Sequence, residues 1–585
     1  MPVKKRKSRK IFLISGIVLA VILVLTLSAN LIVSRIVERK VRNILETTPV
    51  KGYDISFNTL RVNLFSMSVI LKDICLKPDT ILMNEYKSFS ATKKTLIQTE
   101  IPVLKIRYLD ALSYLSGNVV TIDEILYQRA TITIYTGGGK REKRKITAEE
   151  IEKGINMNNL VIPGIGGVDI GEIKLNNLNL LVINPVKGDT LVHNTDIDFT
   201  LEKIYLIKNE SDSNSFRLDM SDIRFELTNE HFVVASGKYN LSFSKLSFSA
   251  KTHEILINDF LFKPTLDAKR LASQFKYRTD VYQAEVRDIA VQLGDVKNML
   301  ITGNYYLPQI RLDGLNLFIV RNISLPFDEA RRPLLPNQLL KTLKTDIDID
   351  SLEITNGNLL YEETNNDNTL PMKVSLDKLH LLISEITSIR DSMANNRPMK
   401  IHLTADLQNQ LPLDVRFEFP LLSKSDTFSF AGTLGGGKMS IFNPVVKSAV
   451  DVKFVNGKLN GIDFSVQANP AYAMGEMTML YTGLQGEVLK KSSDNSNKLL
   501  SWIADQVVKS DNPFAREKPR VVPVYFDRVM YKGFGNFAFK SLLSGILAST
   551  IPTFDHSNQK KINVRENMTK KYFRKQRRQE RRDKK

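Results

Sequence analysis

Apolar and polar residues alternate along most of this chain. From Tyr53 to Leu76 the apolar side chains recur at every second position, and the alternation slips at Asn58 and Ser66. A period of two is typical of half-buried β-strands, with turns or bulges where it slips. The same pattern recurs in the segments 168–184, 216–229, 231–250, 307–322, 349–363, 372–386 and 401–407. The pattern therefore predicts a mainly β protein with an elongated antiparallel sheet.

Helical periodicity is confined to a few short segments. They are 108–117, 147–157, 266–275 and 498–509, the last of which contains the only tryptophan, Trp502. The strand-like segments have no fixed repeat length, so a propeller or a leucine-rich array is not predicted.

Residues 11–33 depart from the alternation because they contain no charged side chain. As a helix they would be about 34 Å long, enough for a bilayer core of about 30 Å. Residues 1–10 carry six basic side chains and no acidic one, which places this end in the cytoplasm. The alternative is a cleaved signal peptide, with Thr26-Leu27-Ser28 as a weak cleavage site. The length and the flanks favour an uncleaved transmembrane anchor, followed by a juxtamembrane helix over 34–50.

The net charge of +19 is concentrated at the two ends of the chain. Residues 565–585 contain eleven basic and three acidic side chains, and such a block is normally disordered. The region between the two ends is only weakly basic, unlike a nucleic-acid-binding protein, so no nucleic-acid partner is predicted. The single cysteine, Cys75, excludes an intramolecular disulfide. A translocated domain without disulfides fits a bacterial envelope.

No catalytic motif emerges from the sequence. None of the six histidines stands at ligand spacing from another, and the glycine-rich segment 164–171 leads into a strand rather than a helix. Asp346, Asp348 and Asp350 share one strand face and leave a Ca²⁺ site, or a hydrolase, as an alternative. A solvated strand face explains them equally well, so no enzyme, metal or cofactor is predicted.

A long sheet with one apolar face must bury that face or present it to an apolar ligand. The candidate lining residues of such a groove are Ile55, Phe57, Val62, Leu64, Val69 and Leu71. Near the C-terminus, the apolar stretch 534–554 is too short to span a bilayer; it either docks on a membrane or closes the sheet. The candidate membrane-contact residues are Phe537, Phe539, Leu542, Leu543, Ile546, Arg574, Arg577 and Arg578.

Several segments together carry a resemblance to a known family. They are 54–78, 104–135, 324–363, 419–445 and 464–485, with Asn443-Pro444, Gly457, Ala473, Gly475, Tyr481 and Leu484 as landmarks. In these segments the chain resembles the AsmA-like envelope proteins, in the form typical of single-anchor proteins from Bacteroidota. Ala130 departs from the pattern, because relatives often have proline there.

The resemblance implies an N-terminal transmembrane helix followed by an elongated antiparallel β-sheet or β-groove with a few short helices. The expected regions are a cytoplasmic basic segment (1–10), the transmembrane helix (11–33), the juxtamembrane helix (34–50), an N-terminal AsmA-like region (51–160), a central sheet (161–410), a C-terminal AsmA-like region with a helix near 498–509 (411–553) and a basic disordered tail (554–585).

The resemblance also implies a function in the bacterial envelope. The expected protein is non-enzymatic, anchored in the inner membrane and mostly periplasmic. It would shield acyl chains of phospholipid or lipopolysaccharide for transport between membranes. The alternative is a structural or assembly factor for outer-membrane proteins, with a closed β core and envelope proteins as partners.

Overall fold

The structure is a computed structural model, and it confirms that the protein is mainly β. The residues it describes are 28–43, 45–46, 52–88, 96–109, 119–135, 156–157, 167–184, 189–209, 212–219, 224–235, 237–343, 345–365, 372–389, 397–444, 452–488 and 509–583. Most of the predicted membrane span, 11–27, and nearly all of the predicted helices 108–117, 147–157 and 498–509 lie outside these residues. Among the described residues, no helix combines the length and the apolar character needed to cross a membrane.

The described chain forms two compact units. Unit 1 comprises Met1–Asn258 with Asp295–Thr302, and unit 2 comprises Asp259–Gly294 with Gly303–Lys585. The strands of unit 1 are β1 (Tyr53–Ser56), β2 (Thr59–Asn63), β3 (Ser68–Pro78), β4 (Leu96–Leu109), β5 (Val119–Gln128), β6 (Thr131–Tyr135), β7 (Asn156–Met157), β8 (Gly167–Asn184), β9 (Asp189–Asn209), β10 (Asp212–Asp219), β11 (Arg224–Val234) and β12 (Tyr239–Ser249).

Strand β13 (Glu254–Pro264) leads from unit 1 into unit 2. The strands of unit 2 are β14 (Asp280–Gln292), β15 (Asn304–Asp313), β16 (Asn316–Asn322), β17 (Asp346–Thr364), β18 (Met372–Thr387), β19 (Met399–Leu407), β20 (Leu411–Phe419), β21 (Phe428–Leu434), β22 (Gly437–Lys438), β23 (Val452–Ala468), β24 (Tyr472–Val488) and β25 (Val521–Asp527).

Seven α-helices and one 3-10 helix (Met439–Phe442) are described. The α-helices are α1 (28–43), α2 (Thr80–Ser88), α3 (Ala268–Ser273), α4 (Val296–Thr302), α5 (Pro336–Thr342), α6 (Phe534–Thr550) and α7 (Pro552–Asp583). Helix α1 covers part of the predicted juxtamembrane helix, and α3 confirms the helix predicted over 266–275. Helix α7 corrects the prediction of a disordered tail: lysine, arginine, glutamine and glutamate all have high helix propensity, which the charge argument ignored.

Nearly all neighbouring strands pair antiparallel, as predicted, but each unit contains one parallel arrangement. In unit 1, β5 and β6 act as one interrupted strand that pairs antiparallel with β4 and parallel with β8. In unit 2, β15 and β16 pair in the same way with β14 and β17. Strands β9 and β18 then add on antiparallel. The chain therefore contains a structural repeat that irregular strand spacing does not reveal.

The two repeats agree in detail where the strand is interrupted. Arg129 N donates to Asn176 O at 2.9 Å, and Gly314 N donates to Thr355 O at 3.0 Å. In both repeats the residue after the acceptor is an asparagine with positive φ, 54° and 52°. Asparagine tolerates this left-handed conformation better than most residues do. The extra residue at each bulge lets the apolar positions return to the same face of the sheet.

Helix α1 lies against the edge strand of unit 1. Ser34 Oγ accepts a hydrogen bond from Val62 N at 2.8 Å, and Asn30 Oδ1 accepts one from Leu64 N at 2.9 Å. The Arg42 guanidinium lies 4.3 Å from the centre of the Phe57 ring. An edge strand exposes backbone groups that can pair with another chain. Helix α1 satisfies several of these groups, so it protects this edge.

Helix α6 packs on the apolar face of the sheet in unit 2. The rings of Phe428 and Phe534 meet edge to face, with centroids 5.7 Å apart. The helix comes close to the sheet at Gly545, where an added Cβ would lie 2.8 Å from Val524 and 2.9 Å from Met477. Between β19 and β25 the sheet face and α6 therefore form one closed hydrophobic core.

The landmark positions of the C-terminal region have structural roles in this core. Asn443 accepts a hydrogen bond from Phe454 N at 2.7 Å and donates one to Phe454 O at 2.9 Å, so it holds the start of β23. Gly475 faces the backbone of Ser465, and a side chain there would overlap it. Gly457 has a φ of 123°, which side chains rarely adopt.

Tyr481 links the sheet of unit 2 to the end of α6. Its side chain is fully buried, and its hydroxyl donates to Ser549 O at 2.8 Å. Arg520 Nη2 donates to both the Tyr481 hydroxyl (3.1 Å) and Ser549 O (3.2 Å). Burial raises the pKa of Tyr481 to about 12 although the nearby Arg520 charge opposes this.

We expect Tyr481→Phe to lower the free energy of unfolding by about 1 kcal/mol, because a buried hydrogen bond is lost. The folded pKa lies above the ordinary value of 10.0. The stabilisation from this proton is therefore complete below that value and disappears as the pH rises through about 12. Urea unfolding between pH 8 and 12 would measure both effects. Tyr472→Phe, whose ring stacks on Tyr525, is the control; equal losses in both variants would contradict the prediction.

Candidate apolar binding face

Two rows of apolar side chains cross unit 1 without interruption, from β2 to β12. Each row follows cross-strand partners, whose side chains point to the same face. The first row is Leu60, Leu71, Leu104, Tyr127, Leu175, Phe199, Leu227 and Leu246. The second row is Val62, Val69, Ile106, Ile125, Ile173, Leu201, Phe225 and Phe248. Eight strands at a spacing of about 4.8 Å make this apolar face about 34 Å wide.

The opposite face of the same strands is charged. Arg107 Nη1 lies 2.6 Å from Glu124, and Lys174 Nζ lies 2.7 Å from Glu172. The hydrogen bond to Glu172 raises the pKa of Lys174 although partial desolvation opposes it. Partly exposed ion pairs of this kind stabilise a protein by about 1 kcal/mol or less each. They identify the solvent side of the sheet, and the two apolar rows form its other side.

Two hydrophobic clusters occupy the apolar face of unit 1. One contains Val120, Ile122, Val168, Ile170 and Ile204, and the other contains Ile101, Ala130, Leu178 and Ile197. Every described residue in or packed against these clusters belongs to a strand or to the β5–β6 interruption. The side chains thus contact their lateral neighbours on one sheet. In unit 2, α6 supplies a second layer over the core.

Tyr127 is the one polar-tipped residue in the two rows. Burial raises the pKa of its hydroxyl above the ordinary value of 10.0. The phenol therefore stays uncharged at physiological pH, and the rows carry no formal charge. Such a surface can exclude water from an apolar ligand.

The structure brings together three of the six predicted lining residues. Val62 and Val69 are cross-strand partners in the second row, and Leu71 belongs to the first. The other three are Ile55, which pairs with Leu76, Phe57, which is buried beneath Arg42, and Leu64, which follows the end of β2 and is 47% exposed. Thirteen of the sixteen row members were missed as lining, although alternation was recognised in the segments that form β8, β11 and β12.

The predicted membrane-contact residues of the tail divide into three groups. Phe537 and Leu543 are buried in the core of unit 2, and Leu542 and Ile546 pack partly against it, so α6 closes the sheet instead of exposing these four side chains. Phe539 is 41% exposed. The remaining three, Arg574, Arg577 and Arg578, lie in α7, and their side chains are outside the described residues. The first part of α7 packs on β25, where Asn558 donates to Pro523 O at 2.9 Å.

The acidic strand positions stand at the start of β17. Asp346, Asp348 and Asp350 alternate along the strand, and Asp350 accepts a hydrogen bond from the Tyr306 hydroxyl at 2.7 Å. This bond raises the pKa of Tyr306. Within the described ranges, no three histidine, cysteine or acidic side chains come together closely enough to hold a metal ion.

No model of a known protein family matches this chain, and no curated protein sequence matches it either.

Proposed function

We propose that this protein is a non-enzymatic component of the bacterial envelope that shields lipid acyl chains during transport between membranes. The proposal rests mainly on the two apolar rows that cross eight strands of unit 1 opposite a charged face. Burying acyl chain against such a surface is worth about 0.8 kcal/mol per CH₂. Contact along the rows would thus lower the cost of taking a lipid out of its bilayer without any chemical step.

In this proposal the apolar segment 11–33 anchors the protein in the inner membrane, and the rest of the chain lies in the periplasm. The AsmA-like resemblance described above supports the same location and function. The ligand class is phospholipid or lipopolysaccharide. The basic end of α7, with Arg574, Arg577 and Arg578, would contact an anionic lipid surface, where each basic residue contributes about 1 kcal/mol.

The closed core of unit 2 favours a second candidate function. Because α6 covers the sheet between β19 and β25, this region resembles an ordinary folded domain rather than an open surface. A structural or assembly factor for outer-membrane proteins would use such a domain to bind protein partners. The apolar face of unit 1 would then be covered by protein instead of lipid.

A phospholipid with a photoreactive group at the end of its acyl chain separates these functions. We expect the full-length protein, irradiated in its native membrane, to form cross-links on β3–β9 in addition to those at 11–33. Mass spectrometry of the cross-linked peptides locates them. Cross-links confined to 11–33 would contradict acyl-chain shielding and favour the assembly factor.

A further inference from the structure

Basic side chains converge on one aromatic ring in unit 2. The Arg278 guanidinium lies 4.1 Å from the centre of the Phe327 ring, and Lys532 Nζ lies 4.5 Å from it. The Phe327 ring also packs against Tyr531, with centroids 5.3 Å apart. Arg278 donates through Nε to Leu325 O at 2.6 Å, so its head is fixed in this position. The segments just before β14 and just before α6 thus place two cations on the ring of Phe327, which follows β16.

Two further cations belong to the same group. Burial is the main effect that lowers the pKa of Lys532, followed by the charges of Lys540, Arg278 and Arg321. Burial likewise lowers the pKa of Lys540. Like charges in partly desolvated positions repel each other, and an anion beside them would relieve this repulsion.

The carboxylates near this group compensate it only in part. Arg321 forms a bidentate pair with Asp280, with both distances 2.7 Å. Glu363 is close enough to act on both Lys532 and Lys540, but neither lysine lies within 4.0 Å of any carboxylate in the described part of the chain. The two carboxylates that act on this group, Asp280 and Glu363, therefore stand against four cations.

A buried arginine stands beside the same segments. Arg528 is 7% exposed, and its Nε has no hydrogen-bond partner among the described residues. Its Nη2 donates to Pro333 O, and its guanidinium lies 5.9 Å from the centre of the Phe537 ring. Desolvation lowers its pKa. Helix α6 starts directly after Lys532, with Gly533 as N-cap and with neither a capping side chain nor an acid in its first turn, so the positive end of the helix adds to the positive charge there.

The cationic group adjoins an apolar part of the sheet. Arg321 follows Ile319 by two residues and therefore lies on the same face. Ile319 pairs with Tyr361, and Leu317, two residues earlier, pairs with Leu359. Leu317 packs in a cluster around Val286, Leu315 and Ile354 whose described members all come from strands or the β15–β16 interruption. An apolar surface with a cationic end has the two features of a site for an anionic amphiphile.

We propose that Arg278, Arg321, Lys532 and Lys540 bind the phosphate headgroup of an anionic phospholipid whose acyl chains lie along the neighbouring apolar face of unit 2. This assignment rests on the proposed lipid-binding function and adds the headgroup class to it. Lys532 and Lys540 supply the uncompensated charge. Arg278 and Arg321 are fixed by their other partners and shape the site.

Calorimetric titration of the full-length protein with water-soluble short-chain lipids tests this site. The probes are dihexanoyl phosphatidylglycerol, dihexanoyl phosphatidylcholine and inorganic phosphate. We expect phosphatidylglycerol to bind about tenfold more tightly than phosphatidylcholine, and Lys532→Gln with Lys540→Gln to remove that difference. The matched control is Lys424→Gln, an exposed lysine of the same unit, which leaves all three affinities unchanged. Thermal unfolding of each variant checks that it is folded.

The possible results separate this assignment from the proposed function. Equal binding of both lipids, unchanged in the double variant, would overturn the headgroup site and leave acyl-chain shielding intact. Binding of neither lipid would contradict the proposed function itself. Inorganic phosphate that binds as tightly as phosphatidylglycerol, with the same loss in the double variant, would show an anion site without a lipid and overturn the assignment. Weaker phosphate binding supports it.

Discussion

Replacing Ile173 with glutamate is expected to remove acyl-chain cross-linking from β8 while the protein stays folded. Ile173 lies in the middle of the second apolar row, between Ile125 and Leu201. A carboxylate there would have to be desolvated by a bound acyl chain, at a cost of several kcal/mol. Each 1.4 kcal/mol corresponds to a tenfold change, so cross-linking should fall by at least about tenfold. Ile173 is only half-buried, so the loss of stability should be about 1–2 kcal/mol.

The control for this variant is Thr200→Glu. Thr200 lies on the charged face of the same sheet, where it pairs with Lys174 and Glu226. The Thr200→Glu variant adds the same charge without touching the apolar rows, so cross-linking should remain at the wild-type level. If Ile173→Glu also leaves cross-linking unchanged, the face does not carry acyl chains. If it unfolds the protein, the face is a closed core, as the assembly-factor hypothesis requires.

The alternation of residues predicted the strands of this face but not which positions would share it. In three strands a residue with positive φ is inserted. These residues are Asp73 in β3, Asn177 in β8 and Asn356 in β17. The apolar positions then shift by one in sequence but stay on the same side of the sheet. A slip in the alternation does not show whether the chain turns or only bulges, so the parity of the lining residues had to come from the cross-strand register.

The parallel repeat was hidden for a related reason. The alternation predicted an antiparallel sheet, and the residues between β5 and β6, Arg129 and Ala130, do not show which way the next strand runs. In the structure the two strands continue in one direction and share their neighbours. Long-range pairing decides between these outcomes, and local residue patterns do not record it. The cationic group around Phe327 was missed likewise, because its two arginines are more than 200 residues away from its two lysines in the chain.

Helix α6 shows the same limit for a helix. Its sequence is apolar on several sides, so docking on a membrane and closing the sheet were equally consistent with it. The structure distinguishes two phenylalanines only two residues apart: Phe537 is 2% exposed and Phe539 is 41% exposed. Phe537 faces Phe428 and Phe526 at centroid distances of 6.1 and 6.3 Å. The two positions therefore make a matched pair for testing how firmly α6 closes unit 2.

We expect Phe537→Ala to lower the free energy of unfolding of unit 2 by about 3–5 kcal/mol, because it leaves a cavity between α6 and the sheet. Phe539→Ala removes the same atoms from an exposed position, so its effect should stay within about 0.5 kcal/mol. Urea unfolding, with hydrogen exchange of α6 as a local readout, measures both. Equal effects of the two variants would show that α6 is not held by this face. A small effect of Phe537→Ala on stability, together with weaker binding to anionic vesicles, would return Phe537 to the membrane-contact role predicted from the sequence.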